Sequence, residues 1–197
     1  MTPVDRESEL ALVARLKARD TDAFDEVYAA YNARLFNFLA RLTRRRDVAE
    51  DLVEETWLRV VSSATRLQHD TRLAPWLFTI ARNLFASYCR SRALDYDAMS
   101  GPSLWPIQPA EPSPFEAAAA TELQQRVEVA LATLPGIYRE ALLLVAQEGL
   151  TPAEAAGVCD ISPEAMRQRL SRARAMLARR LDNPGVPSNV ILREVTP

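Results

Sequence analysis

Six arginines fall between residues 163 and 181, against a single acid, Glu164. Guanidinium groups at that density form paired hydrogen bonds with phosphates and with guanine edges, and glutamine suits adenine edges. The 3.6-residue period divides the segment into two faces. Met166, Leu170, Ala173, Leu177 and Leu181 form an apolar stripe. Gln168, Ser171, Arg172, Ala175 and Arg179 lie opposite, flanked by Arg167 and Arg169, while Arg174 falls nearer the stripe. The first turns of a groove-reading helix meet base edges. Arg167, Gln168, Ser171 and Arg172 are therefore expected at bases, and Arg169 and Arg174 at phosphates.

A helix of this kind needs a partner to hold it. Thr151-Pro152-Ala153-Glu154 has the form of a capping box with proline at the first helical position. It predicts a short helix with Ala155, Ala156 and Val158 inward. Cys159-Asp160-Ile161 makes a turn, and Ser162-Pro163 opens the next helix by the same logic. Two capped helices joined by a tight turn are a helix-turn-helix.

Two further constellations lie upstream. The helical segment from Ala49 places Leu52, Val53, Thr56, Trp57, Val60 and Val61 on one face and leaves Asp51, Glu54, Glu55 and Arg59 outward. A polar stretch from Ser62 to Thr71 follows, carrying Arg66, Gln68 and His69, with Arg72 just beyond. Pro75 then stands near the start of a helix. Trp76, Leu77, Ile80, Ala81, Leu84, Phe85 and Tyr88 form its buried side, and Thr79, Arg82, Asn83, Ser87 and Arg90 face away. Basic and amide side chains on a loop and an adjoining helix suit a single nucleic-acid strand.

Other chemistries lack their residues. There is no glycine-rich phosphate loop, and His69 is the only histidine. Cys89 and Cys159 are far apart and form no metal-ligand spacing. No enzymatic activity, metal or cofactor is expected. No apolar run approaches the roughly 20 residues that span a bilayer, and the N-terminus has no secretory h-region, so the chain is expected in the cytoplasm and not inserted in a membrane.

The elements that must position these residues are all helical. Asp20 or Thr21 caps a helix marked by Phe24, Val27, Tyr28, Tyr31, Leu35, Phe38, Leu39 and Leu42, which ends at Arg44-Arg45-Arg46. A shorter helix around Leu10, Val13 and Ala14 precedes it. Leu123, Val127, Leu131 and Leu134 mark a helix that breaks at Pro135-Gly136; Ile137, Ala141, Leu142, Leu144 and Val145 mark the next, ending at Gly149. Between the two groups, residues 93–120 carry no Lys or Arg, four acids (Asp95, Asp97, Glu111, Glu116) and five prolines. They read as an acidic linker. The expected organisation is all-α: a helical domain over 1–92, a linker over 93–120, a helix-turn-helix domain over 121–182, and an unstructured tail over 183–197. Net charge is −2, low for a nucleic-acid binder, but the charges are segregated along the chain.

Three segments, in order, resemble the extracytoplasmic-function sigma factors of the sigma-70 family. Ala49 to Val60 is similar to the helix with which such factors bind the clamp of RNA polymerase. Pro75-Trp76-Leu77-Phe78-Thr79-Ile80-Ala81-Arg82-Asn83-Leu84 resembles their promoter-melting segment, and Gln168-Arg169-Leu170-Ser171-Arg172-Ala173-Arg174 their −35-reading helix. The resemblance implies sigma regions 2 and 4 and a promoter-directing subunit of core polymerase, contacting its clamp and flap. Asp51, Glu54, Glu55 and Arg59 would meet the clamp. Arg66, Gln68, Arg72, Thr79, Arg82, Asn83, Ser87 and Arg90 would serve the −10 element. Arg167, Gln168, Arg169, Ser171, Arg172 and Arg174 would serve the −35 element. It also implies an anti-sigma partner, and a linker passing through polymerase. Two positions depart from the pattern: Glu54 stands where Gln is usual, and Asp160 where the turn usually has Gly. A stand-alone helix-turn-helix regulator is the alternative, and it leaves the two upstream segments unexplained.

Overall fold

The computed structural model describes residues 6–97 and 121–182, with side chains outside the description at 93–97. The expected tail and most of the expected linker lie outside the described residues. Within them there are eight α-helices and no strand. Four form an N-terminal bundle: α1 (Arg6–Lys17), α2 (Thr21–Thr43), α3 (Arg46–Ser63) and α4 (Leu73–Asp97). Four more form a C-terminal body: α5 (Glu122–Ala132), α6 (Gly136–Leu142), α7 (Pro152–Cys159) and α8 (Pro163–Asp182).

The boundaries follow local chemistry. The Asp20 carboxylate accepts from the N–H groups of Asp22 and Ala23 at 2.9 and 3.2 Å, which fixes the start of α2. Arg44 ends α2 in the left-handed region (φ 58°) and donates its N–H to Ala40 at 2.9 Å. Such a conformation costs a β-carbon-bearing residue about 1–2 kcal/mol, and it frees α3 to turn back immediately. Helix α4 continues to Asp97, five residues past the boundary expected at 92.

The N-terminal core is built from the predicted faces of α2, α3 and α4. Phe38 and Phe78 are fully buried and meet edge to face, ring centres 5.2 Å apart. Trp57 is buried, and its indole N–H donates to Asn32 at 2.9 Å. Thr56 is buried because its hydroxyl donates to the Leu52 carbonyl within α3. Trp76 packs half-buried against this core.

Several packing expectations need correction. Tyr28 and Val61, assigned to apolar faces, are exposed at 42% and 56%. Tyr28 covers the edge of Trp57 from outside the core, ring centres 4.9 Å apart. Leu123 is 65% exposed because α5 buries Ala130 instead. In α8 the stripe swings near its end to Met176 and Arg180, with Leu177 only half-buried, and Arg174 is exposed. Helix α5 packs on this end of α8, where Arg126 donates to the Leu181 carbonyl at 2.6 Å.

After α6 the chain widens into a π-turn over Leu143–Gln147, closed by the Glu148 N–H to the Leu143 carbonyl at 3.0 Å. Gly149 follows with φ 73°, in the left-handed region that glycine enters without a β-carbon penalty.

Candidate nucleic-acid and polymerase interfaces

The helix-turn-helix forms as its capping signals dictate. The Thr151 hydroxyl accepts from the Glu154 N–H at 3.2 Å, and the Glu154 carboxylate accepts from the Thr151 N–H at 2.8 Å. Burial works to raise the Glu154 carboxyl. Hydrogen bonds from Thr151 and the charge of Arg72 outweigh it and hold the group below its ordinary range. Asp160 takes the left-handed conformation (φ 54°, ψ 49°) that ends α7. Aspartate tolerates that region better than most residues, so the turn closes without glycine. The Ser162 hydroxyl then accepts from the Ala165 N–H at 3.1 Å and starts α8.

Met166, Leu170 and Ala173 anchor α8 in the C-terminal body. This leaves Arg167, Gln168, Ser171, Arg172 and Arg174 exposed together, with Arg169 half-buried beside them. Arg167 pairs with Glu164 one turn earlier, which draws the Glu164 carboxyl down through hydrogen bonding and charge. The atypical acid thus occupies one arginine of the face, and Gln168, Ser171 and Arg172 remain presented outward.

On α3, Asp51, Glu54 and Arg59 are exposed and Glu55 is half-buried, with Arg59 paired to Glu55 at 2.8 Å. An exposed pair of this kind contributes only about 0.2–1 kcal/mol and exchanges partners readily. Leu58 and Val61 are also exposed, at 66% and 56%. Glu54, Glu55, Leu58 and Val61 share helical spacing of three and four, so the outward face is acidic at one end and apolar at the other. The apolar half was missed, although the same spacing carries it.

The loop before α4 is held by a residue that sequence reasoning also missed. Glu9 of α1 is buried, and its carboxylate accepts from the Leu73 N–H, the first of α4, at 2.9 Å. Arg6 reaches the same carboxylate at 2.6 Å and Arg72 at 3.1 Å. Arg6 also donates to the Asp70 carbonyl at 2.6 Å. The available signal is an acid on the stripe of Leu12, Val13 and Leu16. Replacing Glu9 by alanine leaves a buried N–H unpaired, so a loss of about 1–3 kcal/mol is expected in urea unfolding. An unchanged midpoint would show that the loop is held without it.

Arg66 and Gln68 are exposed around the 3-10 turn at Ala64–Arg66. Asn83, Ser87 and Arg90 lie exposed along α4, where the Ser87 hydroxyl donates to the Asn83 carbonyl at 3.0 Å and accepts from Arg90 at 2.9 Å. Thr79 is half-buried, its hydroxyl donating to the Pro75 carbonyl at 2.7 Å. Arg82 is placed differently. It turns toward the C-terminal body and pairs with buried Glu140 of α6 at 3.2 Å. Arg72, besides Glu9, approaches Glu154 of α7 at 3.5 Å. This arrangement brings the −35 candidates together on α8 but divides the −10 candidates between an open set and two arginines engaged by the other body.

Helix α4 packs against α7, and α2 against α6. Arg34 pairs with Glu148 at 2.9 Å, and Arg41 with Glu128 at 2.6 Å. Arg139 donates to the Arg41 carbonyl at 3.1 Å. Burial pushes the Glu148 carboxyl up, against the hydrogen bond and charge of Arg34. The thiol of Cys159 lies 3.4 Å from Glu140, and burial with that carboxylate raises it. Cys89 is pushed up to about 11, chiefly by burial. Both thiols are thus poor nucleophiles at neutral pH. Among the described residues no helix is long and apolar enough to cross a membrane.

An all-α chain with a bundle bearing an acidic helix, followed by an arginine-faced helix-turn-helix, defines a two-domain transcription initiation factor. The sigma-70 region 2 model matches residues 27–94, and the sigma-70 region 4 model matches 124–177. The chain is 33% identical over 156 residues to the ECF RNA polymerase sigma factor EcfG of Rhodopseudomonas palustris, covering 78% of this chain and 82% of that one. It is 34% identical to the ECF RNA polymerase sigma factor SigM of Bacillus subtilis, covering 82% and 96%. Among solved structures it resembles the sigma factor RpoE of Bartonella quintana, in complex with the anti-sigma factor NepR. The TM-score is 0.67 at 28% identity, covering 81% of this chain and 97% of that one. The chain belongs to the extracytoplasmic-function RNA polymerase sigma factors. It binds core RNA polymerase and directs promoter-specific initiation.

Proposed function

We propose that the three faces divide initiation as follows. Asp51, Glu54, Glu55 and Arg59, joined by Leu58 and Val61, meet the polymerase clamp. Arg66, Gln68, Arg72, Thr79, Arg82, Asn83, Ser87 and Arg90 serve the −10 element. Gln168, Ser171, Arg172 and Arg167 read −35 base edges, with Arg169 and Arg174 on phosphates. Residues 1–92 and 121–182 act as the polymerase- and promoter-binding domains, with 93–120 as the connector through polymerase and 183–197 as a tail. The observation that carries the reading is the joint outward presentation of Gln168, Ser171 and Arg172 on α8, because one helix then presents amide, hydroxyl and guanidinium donors to one groove.

The protein works in the cytoplasm and carries no catalysis of its own; the chemistry is that of polymerase. An anti-sigma factor as regulator is supported by RpoE, a similar chain solved with NepR. Run-off transcription with purified core polymerase on a promoter library tests the assignment. Transcripts that depend on this chain and share −35 and −10 motifs are expected. A folded chain that neither binds free core nor yields transcripts would return the helix-turn-helix regulator.

A further inference from the structure

Four ion pairs join the two bodies, and each has the same polarity. Arg34, Arg41, Arg72 and Arg82 belong to the N-terminal bundle; Glu148, Glu128, Glu154 and Glu140 belong to the C-terminal body. A glutamate carboxylate occupies the same guanidinium donors that a phosphate would take, with similar geometry and charge. Three of the carboxylates are well shielded, with side chains 1%, 2% and 14% exposed for Glu140, Glu148 and Glu128. Withdrawing both ions from water offsets most of their attraction, so such pairs set register more than they add stability. The raised Glu148 carboxyl marks that cost. An interface of this composition holds a specific arrangement and still opens.

We propose that the arginine face of the N-terminal bundle is a polyanion-binding surface that the chain's own glutamates occupy, so that single-stranded DNA and the C-terminal body compete for it. For Arg72 and Arg82 this rests on their assignment to the −10 strand; Arg34 and Arg41 extend the surface beyond that assignment. The closed chain withholds Arg82 from DNA, and separation of the bodies releases all four arginines together.

The test uses the full chain carrying Glu128→Gln with Glu148→Gln, at one fixed salt concentration. Small-angle X-ray scattering is expected to show a larger radius of gyration. Fluorescence anisotropy is expected to show oligothymidylate bound about tenfold tighter, the gain when an open fraction of about one tenth becomes dominant. Glu122→Gln with Asp182→Asn makes the same change in net charge at exposed sites and should alter neither reading. Should the first variant lose its helical signal, Glu128→Arg decides: alone it should open the chain, and added Arg41→Glu should close it again. A folded variant that stays compact, a swap that restores nothing, or expansion without tighter binding would each overturn the proposal. Failure of the −10 assignment appears separately, as unimpaired promoter opening by Arg82→Ala, and leaves the oligothymidylate result to stand on its own.

Discussion

A chain carrying Glu54→Arg and Leu58→Asp is expected to lose core polymerase binding by about a hundredfold, while its circular dichroism and unfolding midpoint stay native. Both side chains project from α3 and contribute nothing to the bundle core. Two central interface contacts worth about 1.5 kcal/mol each give that factor. The double change attacks the acidic and the apolar half of the face at once, so neither can compensate for the other. Arg59→Ala is the contrasting case: it frees Glu55 from an exposed pair and should alter affinity by only a few-fold. Fluorescence titration of labelled chain with core enzyme measures both. Near-native affinity of the double variant would remove α3 from the clamp interface.

The second large effect belongs to α8. Arg172→Ala should reduce transcription from a matched promoter by about ten- to a hundredfold, the loss of one paired contact to a base edge. The discrimination at a single −35 position should relax with it. Arg174→Ala should act otherwise, weakening all promoter sequences alike and lowering the salt dependence of binding by about one ion. Run-off assays on promoters varied at each −35 position separate the two patterns. A uniform loss from Arg172→Ala would move that residue from bases to phosphates.

The parts legible in the sequence are those fixed by neighbours a few residues away. Thr151 and Glu154 cap each other across three residues, and Asp160 closes the turn, because both depend on local backbone geometry. The core faces of α2, α3 and α4 followed from spacing for the same reason. Errors arose where a partner element decides. Val61 repeats the apolar spacing of α3, but no helix packs over it. Arg180 lies buried on α8 because α5 covers that end. Glu9 holds a backbone N–H 64 residues away, and Arg34 meets a carboxylate 114 residues away. No periodicity encodes such pairs. The π-turn before Glu148 inserts a residue into α6 with no proline or glycine to announce it.

The matched charges between the two bodies also bear on how this chain can be recombined. Promoter-recognition domains look interchangeable, since each has its own core and a connector between. Here the bundle's arginines are answered by glutamates 58 to 114 residues further along. A hybrid that joins residues 1–92 to the helix-turn-helix domain of a relative would keep both DNA-reading faces and lose those answers. It would face each promoter with no internal rival for its arginines. The two halves are heritable as a set, and a hybrid's selectivity is not the sum of its parents'.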